Sequence, residues 1–401
     1  MKPFVFFPDK LKPGLLQRGL LLAEPQVGDA LSDQQAMRLA IQDAYCGLGF
    51  TSPNPLVGCV ILDAQNRFLA KGYHARVGEA HAEVFALMGL PHEKLKGARI
   101  FVTLEPCAHE GRTPSCARAI AKLPIKEVVF GLIDPNPLVA GQGAKILRDA
   151  GIRTSLFSEI KKDPEIQSAL TEVCEHFLWN QTQNKVFVSL KMASSLDGQV
   201  ALKSGQSKWI TDETSRELVH VLRAAHDAIM VGAGTILTDN PSLNIRHPQF
   251  KKRSKLVILD PQGDLIARAA ELNIAQLHFP QDVIFVLSDQ LSEVKNPWGA
   301  EILRIPCQGP HLNIKILLTK LWDLGIKSLF IEGGAQVLSS FISERAANRL
   351  YLFQAPLILG AKGGKAWSEQ VSIAAMDQRI SIQDIQYISL DQDTLITGKL
   401  L

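Results

Sequence analysis

The stretch "VTLEPCAHEGRTPSC", residues 102–116, decides the fold. It opens as β-rich apolar text and breaks at Pro106, a residue suited to the first position of a helix, so the reading places Cys107 at a helix N-terminus. Cys116 then opens the helical text "CARAIAKL". Outward from this point, "LVGCVILD", "RIFVTLE" and "KEVVFGL" are short β-rich runs. Helical text at 81–90 and 115–123 separates them, and "GQGAKILRDAGI" closes as helix and turn. Upstream, "SDQQAMRLAIQDAYCGLG" offers Ser32 as an N-cap with Gln35 three residues on, the pattern of a capping box, and Met37, Ile41 and Ala44 on one helical face. Strands alternating with helices predict an α/β layer structure.

A second alternation begins at the strand "KVFVSLKMA" and continues through "AIMVGAG", "KLVILD", "VIFVLS", "SLFIEGG" and "RLYLFQAPLILG", with helices at 212–225, 313–324 and 335–342. These runs are apolar without strict alternation, which suits a mostly parallel sheet covered on both faces. "SIQDIQYISLDQDTLITGKLL" reads as a terminal hairpin. The expected organisation is a poorly ordered extension at 1–31, a first domain at 32–154, a helical linker at 155–184 and a second domain at 185–401.

At 401 residues the chain is too long for one ordinary core, which supports the two-domain reading. A net charge of +3 gives no argument for a polyanion, and "HPQFKKRSK" reads as a solvated loop rather than a nucleic-acid patch. Six cysteines without a regular spacing are no disulfide framework, and with one metal-like pair among them they point to a reducing, cytoplasmic setting. In the N-terminal segment Pro8, Asp9, Lys10, Pro13 and Arg18 interrupt the apolar runs, so neither a secretory core nor a membrane span fits. No membrane or nucleic-acid partner is expected, and the oligomeric state stays open, a homo-oligomer included.

Singly, His81, Glu83, Cys107 and Cys116 carry little weight, because a lone histidine or cysteine is usually a packing residue. Together they specify a geometry. His81 and Glu83 share the first turn of a helix, and the two cysteines sit where helix-terminal amides favour thiolate. One imidazole and two thiolates leave a tetrahedral zinc one open position, the catalytic pattern rather than the closed structural one. Glu83 is then the carboxyl that moves the proton from water to a leaving amine. His-x-Glu followed by Pro-Cys is the arrangement of zinc nucleobase deaminases, except that eight residues separate the cysteines where the usual pattern has two.

"TSPNPLVGCVIL", "GYHARVGEAHAEVFAL", "VTLEPCAHEGRTPSC" and "DPNPLVAGQGAKILRDAGI", in this order, resemble the deaminase half of the bifunctional riboflavin-biosynthesis deaminase/reductase family. That family displaces its second cysteine by a Gly-x-Thr-Pro loop, as at Gly111 to Pro114, and usually carries proline where Ser115 stands. The resemblance implies a cytidine-deaminase-like three-layer domain acting on a diaminopyrimidinone that bears a ribosylamino 5-phosphate, held by Asn54, His74 and the Arg112 loop.

"VSLKMASSLDGQVA", "SGQSKWITDE", "LRAAHDAIMVGAGTILTDNPSLNIR", "LVILD" and "LFIEGGAQVLSSFI" resemble the reductase half, whose fold is like dihydrofolate reductase. The resemblance runs from about Asp33 to the C-terminus. It implies NADPH contacts at Ala193, Trp209, Thr235, Asp239, Gly334, Ala335, Gln336, Val337, Leu338, Ser339 and Ser340. It implies substrate contacts at Ser207, Arg223, Leu243, Arg246 and Glu332. Physically, Gly333-Gly334 between strand and helix lets backbone approach an anion, and arginine forks suit a phosphate. Besides Ser115, three positions depart from the family: Cys174 for an expected Asn, Val186 for a proline, and Pro261 for a serine that touches the cofactor.

The implied reaction is hydrolytic loss of the C2 amino group, with Glu83 carrying the proton, then hydride from NADPH to C1 of the ribosyl group. Lys191 and Glu332 are the candidates for the proton donor of the second step. A cytidine or tRNA adenosine deaminase fused to a reductase is the rival within the superfamily; the cysteine spacing and the second half oppose it. A structural zinc in a nucleic-acid-binding module is the rival from another class, opposed by the open coordination position, Glu83 and the near-neutral charge.

Overall fold

A computed structural model describes residues 22–109, 114–136, 140–248, 250–308, 311–368 and 371–400. The chain divides into two compact units, Met1–Asn184 and Lys185–Leu401.

In the first unit, β1 (Gly58–Leu62), β2 (Phe68–Tyr73), β3 (Arg99–Leu104), β4 (Glu127–Leu132) and β5 (Arg153–Leu156) form one sheet in the order β2-β1-β3-β4-β5. The β1 pairings with β2 and β3 are antiparallel; β3–β4 and β4–β5 are parallel. Alternate residues of the strands face opposite ways, as a pleated strand requires. Val60, Phe101 and Val129 join a core with Met37, Ile41 and Leu170, whereas Ile61, Val102 and Val128 join one with Ala86, Ile120 and Leu147. Helices on both faces therefore make three layers, as expected.

The capping box at Ser32 and Gln35 is present at the start of helix Asp33–Ala44. His81 is the N-cap residue of helix Ala82–Leu87, which puts Glu83 in its first turn. This helix lies on β2 at Gly72, where an added Cβ would stand 2.5 Å from Ala86 N and 2.7 Å from Ala82 O. Glycine is the residue that permits this approach.

Three expectations need correction. Pro106 starts no helix: residues 105–108 are irregular, because the Cys107 carbonyl accepts from Ser115 Oγ (2.7 Å) and Ala117 N (3.1 Å) instead of feeding a helical ladder. Residues 155–184 are no free linker. Ile166, Ala169 and Leu170 of helix Pro164–Val173 are fully buried in the first unit's core, and Cys174, 1% exposed, donates to Leu56 O. The edge strands β2 and β5, absent from the sequence reading, are mixed in polarity and carry no apolar run. The Arg112 loop and residues 1–21 lie outside the described residues.

In the second unit, the large sheet comprises β6 (Phe187–Ser195), β8 (Ala228–Gly232), β9 (Lys255–Leu259), β10 (Val283–Ser288), β11 (Glu301–Ile305), β14 (Ser328–Ile331), β15 (Arg349–Ala355), β17 (Ile382–Leu390) and β18 (Asp393–Leu400). Two small ribbons, β7 (Gln199–Leu202) with β16 (Gly364–Ala366) and β12 (Cys307–Gln308) with β13 (His311–Leu312), complete the unit. The order is β11-β10-β9-β8-β14-β6-β15-β18-β17, parallel from β11 to β15, with the hairpin β17–β18 antiparallel at the end. Met230 and Val257 face Leu317, Leu338 and Phe341, while Ile229 and Ile258 face Ile236 and Ile274, so helices cover both sides. Val186 is absorbed into the first of these cores.

Candidate active sites

His81 Nδ1 lies 3.5 Å from Cys107 Sγ and 3.3 Å from Cys116 Sγ, and the three donor atoms fall within 4.8 Å of one another. Each ligand is fixed by its own element: His81 by the helix cap, Cys107 by the turn after β3, and Cys116 by the first turn of helix Cys116–Ile120. Ser115, in the family's usual proline position, caps this helix by accepting from Arg118 N (3.3 Å) while donating to Cys107 O. The hydrogen bond from Cys116 draws the Cys107 thiol down to about 4, and the same bond raises Cys116. A thiolate–imidazole set of this size and polarity fits zinc.

Glu83 is 3% exposed, hydrogen-bonds to Cys116, and has its carboxyl pushed up to about 7 by burial. It reaches a cavity of about 460 Å³ whose wall also includes Asn54, His74, Glu79, Glu105 and Asp134. His74 Nδ1 meets Ala80 O at 3.2 Å, and Asn54 Nδ2 meets His74 Nε2 at 3.1 Å. With Nδ1 donating, Nε2 is the acceptor and Asn54 the donor, which suits an imidazole kept neutral by burial. The six expected residues of the first unit therefore converge on one site. Glu79, Glu105, Asp134 and Phe177 also line it and were not anticipated. Glu79, Glu105 and Asp134 stand inside the motifs that carry the resemblance, but nothing local assigned them to the cavity.

In the second unit, Lys191 and Ala193 lie on β6, Glu332 follows β14, and Arg223 lies on helix Glu213–Ala225. Arg223 was expected to hold phosphate. Its fork is instead closed on Glu332, Nε–Oε1 at 2.5 Å and Nη2–Oε2 at 3.0 Å, with Nη1 on Asn244 O at 2.8 Å. Arg246 is exposed, and its amide donates to His220 Nδ1 (3.2 Å). Burial, aided by Arg223 and Arg246, lowers the His220 pKa to about 4. Burial also lowers Lys191, against the pull of Glu332; in Glu332 burial is outweighed by Arg223, so its pKa falls.

Thr235 Oγ1 accepts from Gly334 N (3.0 Å), tying helix Ala233–Asp239 to the N-cap of helix Ala335–Ser343. These junctions follow β8 and β14, adjacent parallel strands, and the space past their C-terminal ends is where α/β sheets bind ligands. Of the anticipated segment 334–340, Gly334 and Gln336 are exposed and Val337 half-buried. Ala335, Leu338 and Ser339 are buried, Leu338 in the core and Ser339 donating to Trp367 O (3.1 Å); Ser340 donates to Gln336 O (2.9 Å). Ser207 and Asp239 are half-buried, Leu243 is buried, and Trp209, 71% exposed, lies under Arg216. Pro261 offers its carbonyl to Ser288 N (3.1 Å).

The model of the RibD C-terminal domain matches residues 186–396, and that of the cytidine and deoxycytidylate deaminase zinc-binding region matches 31–132. Riboflavin biosynthesis protein RibD of Aquifex aeolicus is 36% identical over 92% of this chain and 98% of its own length. This chain belongs to the RibD family. The RibD protein of Actinobacillus pleuropneumoniae is 37% identical over 88% of the chain and 91% of its own length. Among solved structures, Acinetobacter baumannii RibD superposes with a TM-score of 0.76 at 34% identity, covering 92% of this chain and 99% of that one. The Thermotoga maritima diaminohydroxyphosphoribosylaminopyrimidine deaminase/5-amino-6-(5-phosphoribosylamino)uracil reductase gives 0.77 at 32% identity, over 92% and 98%. The chain is thus a bifunctional enzyme of riboflavin biosynthesis, a zinc-dependent deaminase joined to an NADPH-dependent reductase, and its two-part α/β fold is that of RibD.

Proposed function

We propose that the first unit converts a 2,5-diaminopyrimidinone bearing a ribosylamino 5-phosphate to the corresponding uracil. The second unit then reduces its ribosyl group to a ribityl chain. The carrying observation is the convergence of His81, Cys107 and Cys116 with Glu83 at one cavity. Zinc held by these three ligands supplies Lewis-acid activation of a water. Glu83 takes a proton from the attacking water and returns it to the departing amine, so the ring amino group leaves as ammonia and C2 becomes a carbonyl. A buried carboxyl with a pKa near neutrality suits both transfers. Asn54 and His74 present a fixed donor and a neutral ring to the pyrimidine.

NADPH supplies hydride to C1 of the opened sugar. Lys191, half-buried beside the Arg223–Glu332 pair, delivers the accompanying proton; desolvation weakens its hold on that proton. Arg246, exposed where Arg223 is engaged, receives the phosphate. Gly334, Gln336, Thr235 and Ala193 line the cofactor side. Six free cysteines, two of them in the zinc-ligating cluster, support a cytoplasmic location; no helix among the described residues is long and apolar enough to cross a membrane.

The test is Glu83→Gln, followed by metal analysis, ammonia release and NADPH oxidation. The variant should retain zinc, lose deaminase turnover by a factor on the order of 10² to 10⁴, and oxidise NADPH normally when given the deaminated pyrimidine. Wild-type ammonia release would remove Glu83 from the mechanism.

A further inference from the structure

Two buried carboxylates, Glu83 and Glu105, line the deaminase cavity, and they are built for different work. Glu83 sits beside the zinc ligands. Glu105, 4% exposed, is taken up by main-chain amides: Oε2 accepts from Gly141 N (2.9 Å) and Asp134 N (3.4 Å), and Oε1 accepts from Ala144 N (3.0 Å). Two of these amides belong to the start of helix Gln142–Asp149, where donors lack helical partners, and the third to Asp134, two residues past the end of β4. The same junction is closed on its other side. A Cβ at Gly143 would stand 1.9 Å from Pro106 O, so the helix start is seated against the residue between Glu105 and the ligand Cys107.

From this we infer that Glu105 is a positioning residue of the deaminase, a clamp that holds Asp134 in the cavity wall and seats the 141–144 turn on the Pro106–Cys107 segment. It takes no part in proton transfer, because both of its oxygens are committed to amides that cannot accept a proton in return. Asp134 lines the cavity, and its Oδ1 in turn accepts from Asn136 N (2.9 Å), so loosening the clamp moves a wall that the pyrimidine touches. The inference rests on the deaminase reading above for its kinetic part only.

Glu105→Gln decides it. The side-chain amide is isosteric but carries a donor where an acceptor is needed, facing either Ala144 N or the Gly141 and Asp134 amides. Expected are faster hydrogen exchange at Gly141 and Ala144, unchanged zinc stoichiometry, unchanged NADPH oxidation, and a KM for the diaminopyrimidine raised by about tenfold, the equivalent of one lost hydrogen bond, with kcat close to wild type. A collapse of kcat at unchanged KM would make Glu105 a proton-transfer group and overturn the inference. Loss of zinc would make it a support of Cys107 alone, and wild-type exchange and kinetics would make it idle; either result also overturns it. Glu105→Asp, which keeps the charge but withdraws it by one methylene, is measured the same way if the glutamine variant does not fold. The exchange measurement needs no substrate, so it judges the clamp even if the wild-type enzyme proves not to deaminate this pyrimidine.

Discussion

Removing the charge of Glu332 should destabilise the reductase unit more than almost any other single change. Arg223 and Glu332 are paired through two hydrogen bonds, 2.5 and 3.0 Å, with side-chain exposures of only 11% and 9%. Lys191, half-buried on β6, feels the same carboxylate. Glu332→Met therefore leaves two cations in a poorly hydrated place with no counter-charge. Breaking a buried pair in this way costs about 3–5 kcal/mol, which in a unit of this size lowers Tm by roughly 6–20 °C. The double variant Arg223→Met with Glu332→Met removes the orphan and should recover most of the loss, leaving the cost of a Lys191 that has lost its partner and sheds its proton. Urea unfolding followed by tryptophan fluorescence reads this directly, because Trp209, Trp298, Trp322 and Trp367 belong to the second unit and Trp179 to the first. Both variants should lose NADPH oxidation and keep ammonia release. If the single variant costs less than about 1 kcal/mol, or if the two substitutions simply add, the pair is not the electrostatic keystone described here.

Cys116→Ser should lower zinc stoichiometry and abolish ammonia release while leaving NADPH oxidation with the supplied uracil intact; metal analysis with both assays checks it, and retained zinc with full deamination counts against the ligand set. Lys191→Met should cut the reductase kcat by a factor on the order of 10² to 10⁴ without weakening NADPH binding measured by fluorescence titration; an unchanged kcat returns the proton donor to solvent or substrate. His220 is held neutral, its pKa lowered to about 4, whereas the unfolded chain takes up that proton near 6.5. Its contribution to stability is therefore complete above pH 6.5 and is lost as pH falls towards 4. His220→Gln, which carries no titrating ring, should flatten the stability profile in that window, and an imidazole resonance titrating near 6.5 in the folded protein would refute the assignment.

The clustering of His81, Cys107 and Cys116 was legible because each announces itself within a few residues: a helix-starting His-x-Glu, and cysteines placed at the two ends of a Gly- and Pro-containing loop. Helix Asp33–Ala44 was legible from its cap, and the central strands from apolar runs buried on both faces. What escaped depends on partners far along the chain. Arg223 and Glu332 are 109 residues apart, and nothing local in either segment says that the fork is spent on a protein carboxylate rather than on a phosphate. Glu105 finds its amides 29 to 39 residues downstream.

These misses share a cause. A motif records which groups a reaction needs, since the chemistry selects the residue type. Groups that hold the motif in place are selected only for reach and hydrogen-bonding capacity, which many residue types at many positions could supply. The buried charges of this enzyme divide along that line. Glu83 keeps a raised pKa because burial outweighs the hydrogen bond it makes with Cys116. Glu332 ends with a lowered one because Arg223 outweighs a comparable burial, which is what a fixed counter-charge for Lys191 requires. In the proposed mechanism the same side chain thus moves a proton in one unit, while in the other it anchors a cation. What separates the two roles is the neighbour that folding brings to each carboxylate.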